Sequence, residues 1–180
     1  MQKRHMRKFT IKKLIKSRRK LAKEILINLA IIFIFYYMVQ TYYQWDTPHG
    51  QAPGIQGVHL DQTPINIPHD LDQATLVHFW ATWCGVCRLE QNSIDRISDD
   101  YPVIAIASQS GSYQTVKNAV TERKIRVPVL VDETGILAKQ YGVKAFPSSF
   151  IVDKEGQIRF TEVGYSTEWG LRFRLWWSNL

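Results

Sequence analysis

Cys84 and Cys87 are the only cysteines in 180 residues, with two residues between them. Thiols at that spacing in the first turn of a helix have Cβ atoms about 5–6 Å apart, close to disulfide reach. A chain with no other cysteine has no disulfide framework to staple, so the pair is read as one bond made and broken reversibly. A cysteine opening a helix also faces unpaired N–H groups and the positive end of the dipole, which stabilise a thiolate. Cys84 is therefore the expected nucleophile toward a substrate disulfide. Cys87, one turn in and shielded, is expected to resolve the mixed disulfide. A CxxC is also half of a zinc site, but there is no second CxxC and the five histidines show no ligand-like spacing. Capture of a soft ion such as Cu(I) by the two thiols alone stays open as a rival. No cofactor is expected beyond the Cys84–Cys87 disulfide.

The elements that must position this pair follow from the pattern. Thr75–Trp80, rich in β-branched and aromatic residues, predicts a strand. Cys84 to about Ser98 reads as a helix, with Cys87, Ile94 and Ile97 on one face. Val103–Ala107 is wholly apolar, as a central strand covered on both sides should be. A helix over about Tyr113–Lys124, a strand at Val127–Val131 and a short helix at Thr134–Tyr141, closed by Gly142, follow. Two strands, Ser149–Val152 and Gln157–Val163, join through Asp153-Lys154-Glu155-Gly156 as a hairpin. The helix over about Thr167–Ser178 carries Trp169, Phe173, Trp176 and Trp177, which are expected to pack on the sheet. Arg172 and Arg174 weigh against its deep insertion in a membrane. Strands alternating with helices argue for an α/β sandwich with a mixed sheet.

Net charge is +7 but unevenly placed. Residues 1–24 hold eleven Lys or Arg against Glu24 alone, a charge of +10. The rest carries twelve basic and fifteen acidic groups, a charge of −3. A nucleic-acid-binding reading of the whole chain loses its support there. From Ile25 through Trp45 there are 21 residues without a formal charge. As a helix that run is about 31 Å long and matches a hydrocarbon core of roughly 30 Å. Tyr36, Tyr37, Tyr42, Tyr43 and Trp45 crowd its downstream end, as an aromatic belt does at a membrane face. Bulky residues after the run argue against cleavage as a signal peptide. The expectation is a basic cytoplasmic tail (1–24), a transmembrane signal anchor (25–45), a Pro/Gly-rich linker (46–57) and a domain on the far side of the membrane (58–180).

Leu76-Val77-His78-Phe79-Trp80-Ala81-Thr82-Trp83-Cys84-Gly85-Val86-Cys87 resembles the active-site segment of the thioredoxin superfamily. Tyr141 to Gly156, with Phe146-Pro147, resembles that superfamily's cis-proline strand and hairpin. Thr82, and Glu90 three residues after Cys87, resemble the membrane-anchored TlpA/ResA-like branch, and the uncleaved anchor resembles its copper-sensitivity group. The resemblance covers roughly residues 58–177. It implies a thioredoxin-like three-layer sandwich preceded by one transmembrane helix. It also implies a thiol–disulfide oxidoreductase of the bacterial periplasm, held in the inner membrane with its N-terminus cytoplasmic. Protein thiols and disulfides would be its partners, and a membrane dithiol its electron donor. By the same resemblance Pro147 is the cis-proline, Trp83 and Phe146 meet the substrate, and Glu90 is the acid that exchanges a proton with Cys87. A reductase is favoured, with a disulfide-forming oxidase and a non-catalytic copper module as the rivals. Three positions depart from the pattern. His78 stands in place of a buried acid, Asn92 in place of a helix-kinking proline, and Val86 in place of the CxxC proline, freeing a backbone N–H near Cys84.

Overall fold

The computed structural model of the chain describes residues 2–44, 50–67 and 71–180, and divides into two units, residues 1–42 and 43–180. The first unit is formed by one helix, α1 (Gln2–Gln44), whose last two residues fall in the second unit and which runs through the basic tail and the apolar run without a break. Its segment Lys23–Tyr42 is long and apolar enough to cross a membrane. Large side chains on every side of that segment, Leu26, Phe33 and Phe35 among them, are exposed. A helix apolar all round suits hydrocarbon better than water. Trp45 and the first four residues of the expected linker, 46–49, lie outside the described residues.

The second unit is built on a six-stranded sheet in the order β1-β8-β7-β4-β5-β6. These strands are β1 (Gly50–Gln51), β4 (Thr75–Trp80), β5 (Val103–Ser108), β6 (Val129–Asp132), β7 (Ser148–Val152) and β8 (Gln157–Val163). β4 pairs parallel with β5 and antiparallel with β7, so the sheet is mixed as expected. A separate hairpin joins β2 (Ile55–Val58) to β3 (Pro64–Ile67). The helices are α2 (Gly85–Ile97), α3 (Tyr113–Arg123), α4 (Ile136–Gln140) and α5 (Glu168–Ser178). All six residues of β4 are buried, because both faces of the sheet are covered. Leu76 and Trp80 pack with Ile94, Ile97, Val116, Leu171 and Leu175 from α2, α3 and α5. Val77 and Phe79 pack on the other side with Ile55, Ile67, Ala138 and Tyr141. Strand alternation thus divides one strand between two cores, and the result is three layers.

Three expectations change here. The linker does not extend to residue 57: Gly50 and Gln51 pair with Ile158 and Gln157, Ala52 is buried and Ile55 is fully buried. A segment with turn residues reads as a spacer, yet its few apolar side chains find the sheet's second face. The strand expected from Val127 begins at Val129, since Pro128 has no N–H for the ladder. The aromatics of α5 do not pack on the sheet. Its buried residues are Leu171 and Leu175, and Trp169, Phe173, Trp176 and Trp177 point outward.

Tyr141 ties the entering segment to the core: its hydroxyl donates to the Pro53 carbonyl at 2.9 Å, and its ring meets Phe79 and Phe150 at 5.1 Å each. Tyr141→Phe keeps the ring packing and removes that hydrogen bond, so it should cost about 1 kcal/mol in urea unfolding. An unchanged midpoint at unchanged slope would contradict this role.

Candidate active site

β4 ends at Trp80, the chain turns through Ala81-Thr82-Trp83, and α2 begins with Cys84 as its N-cap. The Cys84 N–H donates to the Ala81 carbonyl at 3.1 Å, which fixes the turn. The Cys84 sulfur occupies the place of a capping oxygen, accepting the Cys87 N–H at 3.1 Å. That N–H would otherwise be an orphan donor of the first helical turn. Cys84 and Cys87 are disulfide-bonded, with Cα atoms 5.3 Å apart. Reduction leaves Sγ of Cys84 beside this donor and the helix dipole, both of which favour a thiolate.

Distant parts of the chain hold the turn from three sides. The Thr82 N–H donates to Ser110 Oγ at 3.0 Å, and Arg123 Nη2 donates to the Thr82 carbonyl at 2.6 Å. The Trp83 indole donates to the Gln109 carbonyl at 3.0 Å, leaving most of its ring exposed. Phe146 approaches from the start of β7. Its bond to Pro147 is cis, its carbonyl oxygen lies 3.6 Å from Cys84 Sγ, and its ring meets Trp83 edge-on at 5.7 Å. Cys84, Cys87, Trp83, Phe146 and Pro147 therefore come together, and exposed Val86 and Leu89 extend the apolar rim.

Glu90 lies one turn beyond Cys87 and is fully buried. Its Oε1 accepts the Ser166 N–H at 3.0 Å, and Oε2 has no hydrogen-bond partner among the described residues. Burial pushes its carboxyl up to about 7, and the Glu162 carboxylate adds to this against the Ser166 N–H. This is a buried acid able to hold a proton near neutrality. His78 is also buried: Nδ1 lies 2.9 Å from Ser149 Oγ, its antiparallel neighbour on β7, and Nε2 has no partner among the described residues. Burial lowers its pKa to about 4, so it is neutral at pH 7. Asn92 leaves α2 unbroken and lines a cavity of about 130 Å³ with Trp80, Cys87, Arg88, Gln91 and Arg123. Sequence reasoning missed Arg123, Ser149 and Ser166. Each lies at least 36 residues from the cysteine pair, and carries no local signal.

Comparison with known proteins agrees with this geometry. The family model described as Redoxin matches residues 48–171. The chain is 27% identical over 128 residues to sporulation thiol-disulfide oxidoreductase A of Bacillus subtilis, covering 65% of this chain and 77% of that protein. It is 28% identical over 113 residues to thiol-disulfide oxidoreductase ResA of Bacillus thuringiensis, covering 60% of this chain and 65% of the relative, just under two thirds. The crystal structure of StoA from Bacillus subtilis superposes with a TM-score of 0.62 at 25% identity, over 68% of this chain and 96% of that one. The thioredoxin-like fold is shared.

The two buried ionisable groups give opposite pH signatures. Between about 4.5 and 7 the unfolded chain ionises Glu90 while the folded one keeps its proton, so this group lowers stability as pH rises. Between about 6.5 and 4 the unfolded chain protonates His78 and the folded one does not, so this group lowers stability as pH falls. Each effect is on the order of 3 kcal/mol when complete. Glu90→Gln retains an acceptor for Ser166, and should gain stability relative to the parent from pH 4.5 to pH 8. His78→Gln should gain relative to the parent from pH 7 down to pH 4.5. Urea unfolding followed by tryptophan emission measures both. Differences that do not change with pH would remove these assignments.

Proposed function

This chain belongs to the redoxin family, and from that premise we propose that it is a membrane-anchored, periplasmic thiol–disulfide oxidoreductase that reduces protein disulfides. The observation that carries the chemistry is the Cys84 sulfur, capped by the Cys87 N–H and abutting the Phe146 carbonyl. The Cys84 thiolate attacks one sulfur of a substrate disulfide. The substrate's second sulfur leaves as a thiolate, and Cys84 is joined to the first. The Cys87 thiolate then displaces that sulfur, closing the Cys84–Cys87 bond and releasing the second substrate thiolate. Two electrons have passed to the substrate. A membrane dithiol, itself becoming a disulfide, returns them to the pair.

Glu90 serves the second half of this exchange. It follows Cys87 by one helical turn, which puts their Cβ atoms about 5–6 Å apart. With its pKa near 7, it takes the Cys87 proton as that thiol becomes the attacking group. Once ionised, it disfavours a second negative charge nearby and so favours thiols that give up electrons. Trp83 and Phe146 receive the substrate chain. The apolar segment Lys23–Tyr42 supports the anchor, and the +10 charge of residues 1–24 supports a cytoplasmic N-terminus.

The oxidase reading rests on the same Cys87 N–H, since stabilising the Cys84 thiolate also makes a disulfide more oxidising. Titration of the pair against glutathione decides between them. A reductase should give a potential near roughly −270 mV, and a value near roughly −120 mV would reverse the direction proposed. In the full chain, Cys87→Ser should accumulate a mixed disulfide with its protein substrate, and Cys84→Ser should trap none. Capture by neither variant, with intact Cu(I) uptake by the parent, would replace the enzyme with a copper-holding module.

A further inference from the structure

We propose that the cavity beside Cys87, between α2 and the end of α3, is an anion subsite whose two guanidinium groups take a carboxylate of the protein substrate. This names a feature of the substrate and rests on the thiol–disulfide exchange given above.

Charge in the wall is the first observation. One side of α2 lines the cavity with Cys87, Arg88, Gln91 and Asn92, and α3 ends there with Arg123. The lining thus holds two cations and no carboxylate. Neither arginine has an ion pair among the described residues, although Arg96, Arg126, Arg159, Arg172 and Arg174 each have one. Arg123 gives one N–H to the Thr82 carbonyl, and Arg88 is exposed. Burial, then the charge of Arg88, hold the Arg123 guanidinium below its usual value, and Glu122 offsets this in part from outside the wall. Two like charges that repel beside a cavity make a seat for an anion, whose oxygens accept from both.

The second observation is a donor without a partner. Trp80, in the same wall, is 1% exposed, and its indole N–H has no partner among the described residues. Guanidinium and indole N–H groups only donate, so the wall lacks the acceptor that an anion brings. Size limits what that anion is. The volume of about 130 Å³ is roughly ten times what one water needs. It is well below the roughly 300–1,000 Å³ of a pocket for a drug-sized ligand. A small charged group fits, and a nucleotide or coenzyme does not. Position says where the group comes from. Arg88 follows Cys84 by four residues, about 6 Å along the helix axis. A substrate joined to Cys84 spans that distance with two or three of its own residues, at roughly 3.3 Å each. A carboxylate tethered in this way has an effective concentration in the millimolar range, which a free ion at an open surface site lacks. Residues 25–180 carry a charge of −3, so attraction to an acidic group is local to this pair.

Two disulfide-linked peptide dimers test this, identical except for Glu or Gln placed two and three residues from the cysteine on each side. The full chain, reduced beforehand, is mixed with each, and the exchange rate constant is divided by that of dithiothreitol on the same peptide. The normalised rate should favour the Glu peptide by about fivefold at low salt, and the preference should vanish by about 0.5 M NaCl. Arg88→Gln should bring the ratio to about one, and Arg88→Glu should reverse it, while Arg88→Lys keeps part of the preference. Circular dichroism matching the parent's shows that each variant is folded. Equal rates for the two peptides in the parent overturn the substrate role and leave the exchange chemistry standing. Slowing of both by millimolar sodium sulfate, lost in Arg88→Gln, would then assign the cavity to a free ion. A Glu preference that persists in Arg88→Gln at low salt places the acidic contact elsewhere and overturns the subsite. If the parent exchanges with neither peptide while dithiothreitol reduces both, the oxidoreductase reading fails and this inference with it.

Discussion

A sulfur atom in a capping position is the constraint on which the rest of the structure depends. Cys84 replaces the oxygen that normally meets the first N–H groups of a helix, and the Cys87 N–H is aimed at it. The arrangement requires a strand to stop and a helix to start within four residues. β4 can do so because it lies inside the sheet, paired on both edges and covered on both faces. The turn is then held by groups that take no part in the exchange of sulfur bonds, Ser110 and Arg123 on the backbone of Thr82. A reactive thiol on a loose loop would lose the alignment between donor and sulfur that favours its thiolate.

Behind the pair, the core holds two ionisable side chains that a purely apolar interior would not contain. Burial disfavours the charged form of both, in opposite directions: the acid holds its proton up to about 7, and the imidazole takes one only near about 4. Each uses one polar atom on a neighbour, Ser166 or Ser149, and leaves the other without a partner among the described residues. An unsatisfied buried polar atom is costly, so its presence argues for use rather than packing. The acid lies on the helix of the cysteines and the imidazole on the strand that precedes them. A charge on either group therefore stands in a low-dielectric setting, where it has large consequences.

Much of this was legible in the chain itself. The cysteine spacing, the apolar strand before it, the uncharged run of 21 residues and the Asp153–Gly156 turn are local patterns, and local patterns survive in a sequence. Most helices and strands fall within one or two residues of expectation for the same reason. Segments 50–57 and α5 differ because their fate depends on what lies opposite them. Ile55 is buried by a sheet face assembled from strands far along the chain. In α5 the positions of Leu171 and Leu175 settle which side faces inward, and the more numerous aromatics are left outside.

The sequence by itself determined that two thiols open a helix after a buried strand, because helix and strand periods are properties of neighbouring residues. It also determined that a basic tail precedes an apolar run long enough for a bilayer. Only the tertiary structure decided that the Phe146 carbonyl stands beside Cys84, that Glu90 is buried with Ser166, and that His78 leans on Ser149. Those facts depend on desolvation and contact between residues up to 76 positions apart. Solvent exclusion is a property of the whole fold, and no local pattern encodes it.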